Sequence, residues 1–196
     1  MIIKNLLRDY KFYVWDVQNT FKVGEMDRKI GVDISGVIID TDEVSITLSL
    51  YQELFCTEEK KYRAIPAMKG AFTTLHRLNS IFRGEIYLLS HASPQHIEDV
   101  TRDWLDYTTF SESTGIDSSH IHFCDTRIGK KELCKSLSIT DMIDDRLEIL
   151  SYLPEVRNKY LFRPREDEVA KYKIFLPHVQ RVENWEELFQ KIMEKQ

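Results

Sequence analysis

The sequence predicts an α/β fold in three layers, a parallel sheet with helices on both faces, within a single domain spanning residues 1–196. Three observations predict it. From residue 30 onward, short apolar runs of strand character alternate with stretches of helical spacing, the signature of strand–helix–strand units. The strand runs are rich in Ile, Val and Leu, as strands buried on both faces require. The chain is also long enough for a substantial core, and its 42% hydrophobic and 30% charged residues describe an ordinary globular protein rather than a disordered one.

Residues 1–29 form an N-terminal extension that precedes the first clear core strand, "IGVDI" at 30–34. Residues 41–65 read as a small insertion, a flap or cap-like hairpin in which Val44, Ile46, Leu48 and Leu50 alternate. Phe72, Leu75, Leu78 and Phe82 recur at helical spacing, and Gly84 stops that helix. "EIYLLS" (85–90) is the second strand, and Ser93-Pro94 then marks a helix start with Ile97, Val100 and Trp104 on one face. "HIHFC" (120–124) is the third strand, followed by a short helix over 130–138 with Leu133, Cys134 and Leu137 inward. "DMIDD" (141–145) is the fourth, "RLEILSYL" the helix after it, and "KYLFR" (159–163) a candidate fifth. The last helix, "NWEELFQKIMEK", opens with Asn184 and Glu187 at capping-box spacing and buries Trp185, Leu188, Phe189 and Ile192.

Composition removes several function classes. The net charge of −5 gives no general attraction for nucleic acid or anionic lipid. The N-terminal stretch is too interrupted by charge for a signal peptide, and no apolar run reaches membrane-spanning length. The three cysteines, Cys56, Cys124 and Cys134, form no CxxC pair, so reduced thiols in a cytoplasmic protein are expected. His120 and His122 share a strand face but have no further ligand nearby in sequence.

Polar residues fall where the strands stop. Asp33 ends the first, Ser90 the second and Asp144-Asp145 the fourth, while Lys130 opens the helix after the third. In a parallel sheet these positions converge on the carboxyl edge, where such sheets bind ligands. A carboxylate nucleophile, a hydroxyl, a cation and a carboxylate pair suit phosphoryl transfer through an aspartyl-phosphate. Asp33 would attack phosphorus, Asp33 with Asp144 or Asp145 would hold Mg²⁺, and Lys130 and Ser90 would stabilise the transferring oxygens. Individually each has a plainer reading: Ser90 as the cap of a turn, Asp144-Asp145-Arg146 as an N-cap with a surface pair, Lys130 as a solvated neighbour of Lys131.

The order and spacing resemble the haloacid dehalogenase-like (HAD) superfamily. "VDISGVI" is similar to its first motif, a strand followed by DxDG and Thr or Val; "YLLS" to the second, a strand ending in Ser or Thr; "GKKELCKSLSI" to the lysine-bearing third; "MIDDR" to the acidic fourth. The resemblance covers residues 30–155 and implies a Rossmann-like, HAD-like sheet of the capless or small-cap type. It implies Asp33 as nucleophile, Mg²⁺ as cofactor and a phosphorylated small molecule or macromolecule as substrate. Lys130, rather than Lys131, matches the family spacing, and Gly36 and His91 are read as substrate contacts. "YVWDVQNTF" (13–21), around Asp16, is a rival first motif that lacks the glycine.

One position departs from the family. Two residues after the nucleophile its phosphatases carry an aspartate that protonates the leaving group and later activates water; here it is Ser35. A metal contact from position 35 is expected through the backbone carbonyl and survives the change, whereas proton transfer does not. Two functions therefore stand: a Mg²⁺-dependent phosphohydrolase or phosphotransferase with impaired hydrolysis, or a non-catalytic domain that binds a phosphorylated ligand or a protein. His91, or a residue of the 41–65 insertion, could supply the missing base.

Overall fold

The computed structural model describes residues 28–41, 60–93 and 95–195. Most of the N-terminal extension with Asp16, the alternating Val44–Leu50 stretch, Cys56 and Pro94 lie outside the described residues. Six strands form one sheet: β1 (Ile30–Val32), β2 (Ile86–His91), β3 (Ile121–Cys124), β4 (Asp141–Asp144), β5 (Asn158–Phe162) and β6 (Gln180–Val182). All pair in parallel, in the spatial order β3-β2-β1-β4-β5-β6. Among the described residues seven α-helices accompany them: α1 (Ala71–Ile81), α2 (Gln95–Tyr107), α3 (Phe110–Thr114), α4 (Gly129–Leu137), α5 (Leu147–Ser151), α6 (Glu166–Tyr172) and α7 (Trp185–Met193).

Alternation along the strands divides the core in two. Ile30, Val32, Leu88 and Ile143 point to one face, where Leu75 and Leu78 of α1, Trp104 of α2, Phe110 of α3 and Trp185 and Leu188 of α7 cover them. Leu89, Met142 and Leu161 point to the other, against Cys134 of α4, Leu147 and Leu150 of α5 and Val169 of α6. The three layers expected from the sequence are thus present. Gly31 sits in β1 because a Cβ there would lie 2.8 Å from Met142 Sδ and 2.9 Å from Leu89 Cδ1.

The strand order places a topological switch beside β1. The chain moves from β1 outward through β2 and β3, then returns to the other side of β1 with β4. Loops diverge above such a point, opening a crevice at the carboxyl ends of β1 and β4. The loop after β1 does not wander there. Its Ile34, Val37 and Ile38 are fully buried, and the Trp185 indole N–H donates to Val37 O at 3.0 Å.

The 41–65 insertion leaves and re-enters through paired stems. Ile39 bridges Ala67 in antiparallel fashion, and Asp40 N donates to Pro66 O at 2.9 Å. Its returning end, a 3-10 turn at Lys61–Ala64, is clamped to α2 by Asp103, which accepts from Arg63 Nη2 at 2.6 Å and Lys60 Nζ at 2.9 Å. Trp104 Nε1 donates to Ile65 O at 2.9 Å on the next turn of the chain. On the amino-terminal edge of the sheet, opposite the crevice, buried Arg28 pairs with buried Asp141, with Nε 3.2 Å from Oδ2.

The elements beyond the sequence reading are short. β6 has three residues, including exposed Arg181, and α3 and α6 have five and seven. Segments of that length present too few positions for a period to emerge.

Candidate active site

Asp33 is delivered to the crevice by the sheet itself. Its backbone N–H continues the ladder from β1 to Ile143 O of β4 at 2.9 Å, while its side chain passes the end of the strand. Asp144 is the last residue of β4 and is fully buried. Lys130 arrives from the first turn of α4, on the same face, and is 2% exposed. Its Nζ lies 2.8 Å from Asp33 Oδ1 and 2.7 Å from Asp144 Oδ2, so one ammonium bridges the ends of two neighbouring strands. Of the adjacent lysines, it is Lys130 that the helix turns inward; Lys131 is half-buried outside this contact.

The charge state follows from these distances. Burial disfavours the Lys130 ammonium, but Asp144 and Asp33 outweigh it and hold its pKa above the usual range. Burial raises Asp144 to about 6, with Lys130 and the Arg146 N–H opposing, so the carboxylate is ionised at neutral pH. Asp144 Oδ1 accepts that Arg146 N–H at 2.9 Å, and both of its oxygens are therefore occupied.

Asp145 differs. The residue is partly exposed, yet its Oδ1 is buried with no hydrogen-bond partner among the described residues. Burial first, then the charges of Asp144 and Asp33, push its carboxyl well above the ordinary value. Carboxylate oxygens of Asp33, Asp144 and Asp145 lie within 4.8 Å of one another. An all-oxygen donor set with one orphaned oxygen suits a hard divalent cation, which would relieve both the repulsion and the missing partner. The residues present fit Mg²⁺.

Gly36, read from the sequence as a substrate contact, backs Asp145 instead of only lining the crevice. Its φ is +81°, and a Cβ would lie 2.8 Å from Asp145 Oδ2. Ser35, half-buried, forms an isolated bridge to Ile39 within the turn that follows Asp33. Ser90 is 3% exposed at the end of β2, and its carbonyl lies 3.6 Å from Cys124 Sγ. His91 follows it, half-exposed, with Nε2 3.2 Å from Asp125 O. Burial lowers the His91 pKa, and Arg127 and Lys130 add to the effect.

Two contributors were not legible in the sequence. Glu168 of α6 reaches across to α5 and accepts from Leu147 N at 3.0 Å and Glu148 N at 2.7 Å. It satisfies first-turn N–H groups of a helix whose own N-cap, Arg146, provides no side-chain cap. Asp144, Asp145 and Arg146 thereby sit between two fixed points. Arg127, in the loop before α4, pairs with Glu148 of α5 at 2.9 Å. Neither partner lies near the other in sequence, so no local spacing announces them.

No family model and no curated protein matches the sequence. Among solved structures, the chain is similar to a protein described as a haloacid dehalogenase-like hydrolase from Burkholderia xenovorans LB400. The two share 12% identity with a TM-score of 0.55, over 85% of this chain and 98% of that chain. At that identity the likeness is one of fold alone, and the fold of this chain is the six-stranded parallel sheet with helices on both faces.

Proposed function

We propose that this chain is a Mg²⁺-dependent phosphohydrolase or phosphotransferase of HAD type that works through an aspartyl-phosphate on Asp33, with hydrolysis impaired by Ser35. The observation that carries the reading is the Lys130 bridge between Asp33 and Asp144 beside the partnerless Asp145 oxygen. A buried lysine and three carboxylates are expensive to gather, and a domain that only displays a surface has no use for them.

In this reading Asp33 attacks phosphorus with an oxygen of its carboxylate. Lys130 pairs with that carboxylate and faces the charge that develops on the phosphoryl oxygens. Ser90 contributes a hydroxyl to the same oxygens, and Gly36 leaves room for Asp145. Asp33, Asp145 and the Ser35 carbonyl would hold the cation, with Asp144 oriented behind them by Lys130 and Arg146. When bound, Mg²⁺ supplies positive charge to the phosphoryl group. The substrate is a phosphorylated small molecule or macromolecule, and the free thiols of Cys124 and Cys134 support a reducing, cytoplasmic setting.

A second reading, a non-catalytic domain that binds a phosphorylated ligand or a protein, is favoured by Ser35 alone. One experiment separates the two. Acetyl phosphate and p-nitrophenyl phosphate have leaving groups that need no protonation, so Asp33 should accept phosphate in a burst followed by slow turnover. Asp33→Asn should abolish both phases, and Ser35→Asp should speed the second by up to about 10²–10⁴-fold. A folded, metal-bound protein with no burst, whose Ser35→Asp variant is equally inert, would establish the binding reading.

A further inference from the structure

We infer that His91 is the general base that clears the phosphoryl group from Asp33, replacing the carboxylate that position 35 lacks. This inference rests on the aspartyl-phosphate reading above. The first support is tautomeric. His91 Nε2 lies 3.2 Å from the backbone carbonyl of Asp125, and a carbonyl can only accept. The neutral ring therefore carries its proton on Nε2 and presents a bare lone pair on Nδ1. Among the described residues nothing hydrogen-bonds Nδ1, and it is not a buried orphan. A peptide carbonyl here plays the part that a second carboxylate plays for many catalytic histidines, fixing both tautomer and ring orientation.

The second support is position. Val32 pairs with Leu88, so the same register carried one step on sets Asp33 beside Leu89. Leu89 points to the α4 face of the sheet, and His91, two residues further, points the same way past the strand end. Asp33 shares that parity with Gly31 and meets Lys130 of α4 there. His91 is near enough to Asp33 and Lys130 for both charges to act on it. The other groups facing the ring are Arg127 and the Asp125 carbonyl from the loop before α4, and Cys124, its register partner on β3. Asp33 raises its basicity while Arg127 and Lys130 lower it, and with burial the ring is neutral near pH 7. A neutral imidazole is what a base requires.

The step balances without any further reactant. Water oxygen bonds to phosphorus as the phosphorus–oxygen bond to Asp33 breaks, and that electron pair restores the Asp33 carboxylate. One water proton passes to His91 Nδ1, and the resulting imidazolium releases it to phosphate or solvent.

The test is the second phase of the acetyl phosphate or p-nitrophenyl phosphate reaction. His91→Gln keeps an amide N–H for the Asp125 carbonyl but cannot titrate. It should leave the burst intact and slow the second phase by about 10²-fold or more. In a Ser35→Asp background the same substitution should have little effect, because a carboxylate again serves as base. The wild-type second phase should rise with pH through one ionisation below about 6.5, a readout that needs no variant. A burst followed by a second phase that is flat with pH, or unchanged in folded His91→Gln, overturns this assignment alone. No burst in the wild type removes the Asp33 reading and this inference with it.

Discussion

Gly36 and Asp145 occupy one space. A Cβ at position 36 would fall 2.8 Å from Asp145 Oδ2 and 3.0 Å from its Cγ, and the backbone there has φ +81°. Gly36→Ala should therefore act twice. Left-handed backbone costs a residue with a Cβ roughly 1–2 kcal/mol, and a chain of this size loses about 2–4 °C of Tm per kcal/mol. The carboxylate must also move away from Asp33 and Asp144. Thermal unfolding with and without millimolar Mg²⁺ should show a modestly lower Tm and a markedly smaller metal-induced rise. A wild-type rise in the variant would mean that Asp145 is not a ligand.

Lys130→Met should be far more damaging. The side chain is 2% exposed and sits between two carboxylates, which would then face each other without a counter-charge. Removing one partner of a buried ionic cluster typically costs about 3–5 kcal/mol. Adding Asp144→Asn should recover part of the loss, because it removes one of the two buried charges left uncompensated. Urea unfolding of the two singles and the double closes that cycle, and strict additivity would deny the coupling.

The carboxylate cluster should also make stability depend on pH. Burial raises Asp144 to about 6 and pushes Asp145 well above its ordinary value, so both stand above the unfolded value of roughly 4. The folded state then binds protons more tightly than the unfolded chain, so these groups withdraw stability as pH rises from about 4 through 6. His91 and His122 act in the opposite sense, since burial lowers both and the unfolded chain protonates first as pH falls. Asp103, held well below the usual carboxylate range by Arg63, stays ionised throughout and is neutral in the comparison. The expectation is read from denaturation at pH 5, 6 and 7 in chelator: the wild type should lose more stability on going to pH 7 than Asp145→Asn does. Millimolar Mg²⁺ should cancel the difference in slope by competing with the protons. Equal slopes in chelator would count against a protonated Asp145.

Glu168→Ala should weaken the site from a distance. It strips the acceptors from the N–H groups of Leu147 and Glu148, and lost caps typically cost about 0.5–2 kcal/mol. Because α5 begins just after Asp145, the Mg²⁺-induced rise in Tm should shrink as well. Glu168→Gln, which keeps one acceptor oxygen, should restore part of both. A Tm loss with an undiminished metal response would make Glu168 a structural cap and nothing more.

The sequence by itself determined the parallel α/β class, the first four strands and the polar residues at their ends, and offered the fifth strand but not β6. Buried parallel strands need unbroken apolar runs, so "IGV", "IYLL" and "MI" could be read directly, and a carboxylate or hydroxyl at the end of each run stands out against them. The terminal helix was equally plain: Asn184 Oδ1 accepts from Glu187 N at 2.9 Å, as the local spacing required. Period and capping are short-range properties, written within a dozen residues. What only the tertiary structure decided was which of these residues act on one another. Lys130 rather than Lys131 meets Asp33 and Asp144, Asp144 accepts from Lys130 and the Arg146 N–H, and Asp145 lies against Gly36, contacts that converge from three segments. Glu168 reaches α5 across 20 residues, Asp125 O fixes the His91 tautomer across 34, and Arg28 neutralises Asp141 across 113. Charge interactions and orphaned N–H groups are settled by distance in space, and chain separation carries no record of that distance.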